Sequence, residues 1–185
     1  TLSLNDALPI YTYGYSRHSF PFSPPIFKGR ILFSEPKRGD VIVFKTPADN
    51  RTDYIKRLIG LPGDEIQFID GDLYLNNNQI LKTFLSSVDK IYCGNNIIKV
   101  NTFKEKLPNG KSYIASYRQD YSFQNSDKFN IPENHYFFLG DNRDCSKDSR
   151  YLSEVGYVHK NNIVGKARIL FFSSDYRIGR ILKFW

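Results

Sequence analysis

Two short stretches of the sequence carry residues capable of acid–base chemistry. The first, "DYIKRLIGLPGD" at 53–64, places Lys56 in an apolar, β-prone run that ends in a Pro-Gly turn. In a strand, Tyr54, Lys56 and Leu58 share one face, and the residues between them share the other. If the face of Lys56 packs inward, burial disfavours the charged amine and lowers a lysine pKa by roughly 3 to 5, which makes a general base near neutral pH. A lone strand lysine is more often an edge or solvent-facing residue, so this stretch decides nothing alone.

The second stretch, "GDNRDCSKDSRY" at 140–151, surrounds two serines with charges of both signs. Such charges can pair within the loop, while Asn, Asp and Ser satisfy its backbone groups, which gives a rigid polar loop. A loop of this kind can hold a serine hydroxyl against a lysine amine, although a solvated turn would have the same composition. The charged residues that bear on this prediction are Asp141, Arg143, Asp144, Asp148 and Arg150.

The elements that must position these residues are predicted to be β-strands. Phe and Tyr supply 15 and 13 residues, Met is absent, and Gly, Pro and Asn recur at short intervals, which favours an all-β chain. "RGDVIVFKTP" reads as a strand entered by a tight turn and closed by a proline. Because Asp40 leads straight into Val41, the RGD tripeptide indicates strand initiation rather than an adhesive loop.

Beyond the lysine stretch, "EIQFIDGDLYLNNNQI" predicts a hairpin that turns at Asp70-Gly71. From Leu81 to Asn134 the pattern loosens into short β-like runs, which we interpret as an inserted lobe. Regular strands resume at "HYFFLGDN" and at "NNIVGKARILFF", whereas the N-terminal "YTYGYSRHSFPFSPPIF" reads as extended loop.

Composition leaves the partners open. The net charge of +7 is spread along the chain, which fits a generally basic surface as well as an acidic partner. No stretch has the 18 or so apolar residues of a spanning helix, and no signal peptide is evident. The C-terminal "ILFFSSDYRIGRILKFW" suits a lipid surface, or a terminal strand with a polar tail. Cys93 and Cys145 form no CxxC pattern, and we predict that they do not pair, because one lies in the lobe and the other in the charged loop.

Three stretches in this order resemble conserved boxes of the bacterial type I signal peptidases. They are "RGDVIVF" at 38–44, "YIKRLIGLPGD" at 54–64 and "GDNRDCSKDSRY" at 140–151; "YGYSRHSFPFSP" and "NNIVGKA" also look like that family. The resemblance covers both ends of the chain, and the lobe between them matches only in position and loose character.

The resemblance implies a mostly β fold: a signal-peptidase or LexA-like antiparallel β catalytic core with an inserted second β-rich lobe. It implies a membrane-bound serine endopeptidase on the periplasmic side of the bacterial inner membrane. Such an enzyme removes signal peptides after small residues with a Ser-Lys dyad, needs no metal or other cofactor, and has signal peptides and the membrane surface, but no nucleic acid, as partners. We predict core segments at 11–64 and 136–185 and the lobe at 65–135.

Carried over residue by residue, the resemblance makes Lys56 the general base and Ser146 the hydroxyl that orients its amine. It pairs Asp141 with Arg57 and Asp148 with Arg150 as structural supports. It also places the substrate along the strand edge formed by Asp53, Tyr54 and Ile55. One departure is Cys145, where the family commonly has Asn, and it affects the local geometry of the loop only.

The nucleophile of the family lies in an S-M-x-P-T-L-like box that this chain lacks. Thr1-Leu2 resembles its last two letters, and Ser3, Ser16 and Ser19 lack the Met-x-Pro context. Back-translated, residues 1–10 match a widely used sequencing adapter at every position except Asn5, so we predict that they are adapter-derived and that the chain is an N-terminally truncated, inactive fragment. Resequencing the source locus tests this origin.

Three other functions remain open on the sequence alone. One is a specialised Ser-Lys peptidase of the conjugation or pilin-processing type. A second is a basic β-barrel that binds nucleic acid, which the charge and aromatic content favour but the acidic residues of the charged loop oppose. The third is a non-catalytic relative that binds signal peptides or membrane.

Overall fold

The computed structural model describes residues 7–11 and 34–170, and the side chains of residues 34–167. Two predictions fall largely outside these residues: the extended loop near the N-terminus, and the lipid-binding or strand-and-tail character of the C-terminal aromatic and basic stretch.

The described chain consists of β-strands with two short 3₁₀ helices, Arg143–Cys145 and Lys160–Asn162, and all pairings between its strands are antiparallel. The predicted mostly β class is therefore confirmed. The strands are β1 (Ala7–Tyr11), β2 (Val41–Lys45), β3 (Asp53–Gly60), β4 (Glu65–Ile69), β5 (Asp72–Leu75), β6 (Asn78–Gln79), β7 (Leu81–Cys93), β8 (Asn96–Lys106), β9 (Ser112–Arg118), β10 (Phe129–Asn130), β11 (His135–Leu139), β12 (Val158–His159) and β13 (Ile163–Leu170).

The strands form three sheets. The largest has six strands in the order β1-β13-β2-β3-β11-β12, and the others have the orders β10-β4-β5-β6 and β7-β8-β9. Strands β3 and β11 pair in the large sheet, and all strands between them in sequence belong to the smaller sheets. The smaller sheets thus form an insertion between two halves of the large one, while the exact domain boundaries stay a prediction.

Strand β2 shows why the "VIVF" run is apolar at every position. All four of its residues are buried, because the strand lies between β13 and β3 and both of its faces are covered. Gly39 adopts a positive φ of 86° in the turn before it, and the backbone N–H of Asp40 donates to the carbonyl of Lys37. The buried Asp40 begins the strand, as the strand-initiation reading of the RGD tripeptide predicts.

Strand β3 presents two different faces. Tyr54 and Leu58 pack with the cluster that contains Ile42 and Phe44, whereas Ile55 packs on the opposite side with Val43. The predicted separation of the even-numbered and odd-numbered residues of this strand is therefore confirmed.

The insertion is partly as predicted. Asp70 and Gly71 have positive φ angles of 49° and 79° between β4 and β5, which confirms the hairpin turn there. The loose short runs predicted from 81 to 134 are instead organised around a long β7–β8 hairpin. Most residues of β7 are exposed, so its sequence has no buried face to produce an alternating pattern.

The largest apolar cluster joins the insertion to the large sheet. Ile59 of β3 and Phe137 and Leu139 of β11 pack in one core with buried residues of the smaller sheets. The members contributed by the region between β3 and β11 are Ile66, Phe68, Leu73, Leu75, Ile80, Leu107, Tyr113, Ala115, Tyr117, Phe129 and Ile131.

Candidate active site

Lys56 lies where the large sheet meets the charged loop. On one side it pairs with Ile42 of β2. On the other side, Phe138 and Leu139 of β11 pair with Leu58 and Arg57, and the same register continued by one residue sets Gly140 opposite Lys56. Directly opposed residues of antiparallel strands point to the same face, so the missing side chain of Gly140 leaves space beside the Lys56 side chain.

Ser146 fills that space. A Cβ placed on Gly140 would lie 2.0 Å from the Ser146 Oγ and 2.3 Å from its Cβ. Ser146 is only 5% exposed, and its Oγ has no hydrogen-bond partner in the structure. The loop thus delivers a buried, unpartnered hydroxyl to the face of the sheet that carries Lys56, although no hydrogen bond joins the two side chains.

Burial is the main influence on the amine of Lys56. It lowers the pKa of Lys56 below the ordinary value of 10.5, and the positive charge of Arg150 lowers it further. The negative charges of Asp148 and Asp141 raise the pKa and so act against burial, with Asp148 the stronger of the two. The Nζ atom also lies 5.4 Å from the centre of the Tyr54 ring. A lysine whose protonated form is disfavoured in this way is suited to accept a proton.

Both ion pairs expected around Lys56 are present. Arg57 donates from Nε and Nη2 to the two carboxylate oxygens of Asp141, each at 2.7 Å, and from Nη1 to the Gly39 carbonyl. Arg150 donates from Nε and Nη2 to the two oxygens of Asp148, at 2.8 and 2.9 Å. Both contacts are bidentate, the geometry in which a guanidinium fixes a carboxylate most firmly.

Asp148 also ties the loop to its own beginning. Its side chain is fully buried, and its Oδ2 accepts a hydrogen bond of 2.9 Å from the backbone N–H of Gly140. The carboxylate therefore fixes both Arg150 and the glycine against which Ser146 packs.

The predicted substrate strand has a free edge. Asp53, Tyr54 and Ile55 pair with β2, whereas the described pairing with β11 begins only at Arg57. Within the residues that the structure describes, the opposite side of residues 53–55 has no paired strand. Asp53 forms an ion pair of 2.8 Å with Lys45, and Ile55 is buried.

The prediction that the two cysteines do not pair is wrong. Cys93 and Cys145 form a disulfide, with the sulfur atoms 2.12 Å apart. The loop lies along β9, where Asp144 accepts a hydrogen bond from the backbone N–H of Arg118 and Asn142 bridges to Ser116. This docking brings Cys145 to the end of the β7–β8 hairpin, a contact that the separation of 52 residues in sequence does not reveal.

Sequence reasoning also missed a buried charge cluster next to the loop. Arg143, which the sequence indicates to be one of the charges that pair within the loop or face solvent, pairs instead with Glu105 of β8, and the two side chains are each 1% exposed. Nothing local in either stretch signals this contact. No group of His, Cys, Asp and Glu suited to a metal ion occurs in the described part of the chain, and no helix described there is long and apolar enough to cross a bilayer.

Comparison with known proteins decides the family. The sequence model of the family described as "Signal peptidase, peptidase S26" matches residues 1–172. The chain belongs to this signal peptidase family. The match includes residues 1–10, whose predicted adapter origin stays a prediction.

Curated relatives are similar to this chain over most of the chain's length. Signal peptidase I of Rickettsia typhi is 45% identical over 174 residues, which cover 89% of this chain and 63% of the relative. Signal peptidase I of Rickettsia akari is 46% identical over 173 residues with the same coverage. The chain thus spans somewhat less than two thirds of the length of these relatives.

A solved signal peptidase I from Enterococcus faecalis V583 is 29% identical and covers 72% of this chain and 97% of its own, with a TM-score of 0.41. Membership places this chain in a membrane-associated family of serine endopeptidases. The roles of individual residues are not established by membership and are treated as proposals below.

Proposed function

We propose that this chain is the catalytic portion of a signal peptidase I, which cleaves signal peptides from exported proteins after small residues, in an Ala-X-Ala pattern, with a Ser-Lys dyad. The observation that carries the proposal is the partly buried Lys56, whose amine lies within the influence of the charged loop that also holds the unpartnered, buried hydroxyl of Ser146.

In this proposal Lys56 is the general base. A serine hydroxyl is a poor nucleophile until a neighbouring base removes its proton, and the lowered pKa of Lys56 increases the fraction of neutral amine available for that step. Ser146 orients the amine, since its hydroxyl can both accept and donate a hydrogen bond. The Arg57–Asp141 and Asp148–Arg150 pairs hold the surrounding backbone.

The substrate would add a strand to the free edge of β3 beside Asp53, Tyr54 and Ile55. Main-chain hydrogen bonds would provide affinity, and alternate side chains would point to the same side of the substrate strand. Residues P1 and P3 therefore share one face, which is why a rule for small residues applies to both positions.

The proposal assigns no nucleophile to residues 1–185. No serine of this sequence lies in a Ser-Met-x-Pro context. Removal of one member of a catalytic dyad abolishes nearly all of the covalent chemistry, so we expect no cleavage from the 185-residue chain as it stands.

Two observations support action outside the cytoplasm at a membrane. Disulfides such as Cys93–Cys145 persist in oxidising compartments, including the bacterial periplasm. The β7–β8 hairpin exposes large apolar side chains, among them Phe84, Tyr92 and Ile97, which suit contact with a lipid surface. We propose no nucleic-acid partner and no cofactor.

The curated relatives favour the general enzyme over a specialised peptidase. Those cited above are described as signal peptidase I, and neither as a conjugation or pilin-processing enzyme. A specialised peptidase is therefore an outcome of the experiment below rather than a second proposal.

The experiment compares the 185-residue chain with the complete product of its gene in detergent-solubilised membranes. A preprotein with an Ala-X-Ala site is incubated with each, and cleavage is followed by the shift in mass. We expect cleavage only by the complete product, at a rate that rises with pH through the lowered pKa of Lys56, because only the neutral amine accepts the proton.

Lys56→Met should abolish this cleavage by at least about 1,000-fold, whereas Lys104→Met, at an exposed position of β8, should leave it unchanged. Cleavage that survives Lys56→Met would overturn the assignment of the base. Cleavage by the 185-residue chain that depends on Lys56 would overturn the absence of a nucleophile. Cleavage restricted to a pilin-like substrate would identify the specialised enzyme.

A further inference from the structure

The charged loop is anchored in the insertion by a buried cluster of four residues, which we call the Arg143 cluster. Arg143 donates from Nη1 to the Tyr117 hydroxyl at 2.6 Å, and from Nη2 to Glu105 Oε2 at 2.6 Å and to the Tyr113 hydroxyl at 2.8 Å. The two tyrosine hydroxyls in turn donate to the two oxygens of Glu105. The ring of hydrogen bonds is closed, and it connects one residue of the loop to β8 and β9.

The buried charges of this cluster depend on one another. Burial alone favours the neutral form of Glu105 and would raise its pKa. The positive charge of Arg143 and the hydrogen bonds from the two tyrosine hydroxyls outweigh burial and hold the pKa of Glu105 below its usual value. Removal of either partner leaves a desolvated charge, which is strongly unfavourable. Arg143 is therefore held in place far more firmly than a loop residue with a solvated side chain.

One route from the cluster to Lys56 runs through the backbone of Arg143. Its carbonyl accepts a hydrogen bond from Arg150 Nη2. Arg150 pairs with Asp148, which accepts from the N–H of Gly140. Asp148 and Arg150 are the two charges that, after burial, act most on the amine of Lys56.

A second route runs through Tyr113. Its ring lies under the Arg57 guanidinium at 4.5 Å, while its hydroxyl accepts from Arg143. Arg57 follows Lys56 directly in β3 and pairs with Asp141, the third charge that acts on the amine. The cluster thus contacts one end of the loop that carries Ser146 directly, at Arg150, and reaches the other end, at Asp141, through Arg57.

We propose that Arg143 is a positioning residue through which the insertion sets the environment of the catalytic lysine. Its side chain fixes the loop from Gly140 to Arg150 against β8 and β9, and this holds the Ser146 hydroxyl and the Asp148–Arg150 pair beside Lys56. The inference rests on the proposed function only in taking Lys56 as the base. The Cys93–Cys145 disulfide ties the same loop to the insertion at a second point.

The test measures the environment of Lys56 in the chain itself, without catalysis. Trace acetylation by acetic anhydride from pH 6 to 11, read by mass spectrometry, gives the pH midpoint of the Lys56 amine. Deuterium exchange at the amides of Gly140 and Ser149 reports the order of the loop, because the N–H of Gly140 donates to Asp148 and that of Ser149 to the Phe138 carbonyl.

Arg143→Met should raise the Lys56 midpoint towards that of the exposed Lys104 and accelerate loop exchange at least tenfold, because a loosened loop admits water to the amine. Arg143→Lys, which keeps the charge opposite Glu105, should retain most of the parent values. Tyr117→Phe removes one hydrogen bond from Arg143 and should give a smaller shift in the same direction.

Leu73→Ala is the matched control, because Leu73 is buried in the insertion and lies outside the Arg143 cluster. It should lower global stability while leaving the Lys56 midpoint in place. Loop exchange should also stay at the parent rate, because the amides of Gly140 and Ser149 exchange through local opening of the loop and not through global unfolding. The proposal is overturned if Arg143→Met leaves both readouts at parent values, or if Leu73→Ala moves them equally. If Arg143→Met does not fold, Tyr117→Phe decides on the same criteria.

Failure of the proposed function is distinguishable from failure of this inference. If the acetylation midpoint of Lys56 in the parent chain equals that of Lys104, the assignment of Lys56 as a neutral base fails. The deuterium-exchange comparison would then still decide whether Arg143 positions the loop. If the Lys56 midpoint is lowered in the parent chain but no substitution in the Arg143 cluster changes it, Lys56 remains the proposed base and the positioning role of Arg143 is rejected.

Discussion

At the scale of single residues, Gly140 and Ser146 are predicted to depend on each other for space. A methyl group at residue 140 would overlap Ser146, and the next atom in its path, the carbonyl oxygen of Asn142, is 3.6 Å away. We expect Gly140→Ala to lower the free energy of unfolding by about 1 to 3 kcal/mol, the usual cost of overpacking. Ser146→Gly should relieve most of this cost. The loss of unfolding free energy in the double variant should therefore be smaller than the sum of the losses in the two single variants, by at least about 1 kcal/mol.

Urea unfolding of the four proteins of this cycle measures that coupling. Ser149→Gly is the matched control, because Ser149 is equally buried in the same loop but its hydroxyl accepts from the N–H of Phe138 rather than filling the space at Gly140. It should not relieve the cost of Gly140→Ala. Additive effects of Gly140→Ala and Ser146→Gly would show that Ser146 does not occupy this space.

The residues of the site differ in how far their sequence reveals them. Lys56 is visible because it and Arg57 interrupt an apolar run, and the alternation of β3 separates the two onto opposite faces. Asp148 and Arg150 are two positions apart, so their pairing is a local matter. Arg143 and Glu105 lie 38 residues apart, and their pairing depends on how the loop docks on β8, which no local pattern encodes.

At the scale of elements, the disulfide should stabilise the contact between the β7–β8 hairpin and the loop. It closes a loop of 52 residues, for which the chain-entropy estimate is about 4 kcal/mol as an upper value. We expect a reductant, or the Cys93→Ala, Cys145→Ala double variant, to lower the free energy of unfolding by about 2 to 4 kcal/mol.

Urea unfolding with and without reductant tests this expectation. The double alanine variant is its own control, since it has no disulfide and its unfolding midpoint should not respond to the reductant. Two free thiols in the native protein, titrated before any reductant is added, would contradict the pairing itself.

The elements were predictable where burial imposes a pattern. The first four residues of strand β2, Val41 to Phe44, are apolar because both faces of the strand are covered there, and the Asp70-Gly71 turn has the residue types that positive φ requires. Strand β7 has no such constraint. Most of its side chains face solvent, and its pairing with β8 depends on backbone hydrogen bonds that place few demands on side chains.

At the scale of the whole molecule, the insertion and the large sheet should unfold together. The largest apolar cluster combines Ile59 and Phe137 of the large sheet with residues of the insertion such as Leu73, and the Arg143 cluster and the disulfide cross the same boundary. Neither part keeps its core without the other. Unfolding of the two parts should therefore be cooperative, because each part would lose buried contacts if the other opened alone.

Native-state hydrogen exchange tests this cooperativity, with the slowest amides of β2 reporting the large sheet and those of β5 the insertion. Leu73→Ala should lower the opening free energy of both strands by the same amount, about 2 to 5 kcal/mol, although Leu73 lies only in the insertion. Val158→Ala, in the cluster that contains Phe44, should likewise lower both. A loss of protection confined to β5 in the Leu73→Ala protein would mean that the insertion opens separately, and the buried contacts across the boundary would then be too weak to couple it to the active site.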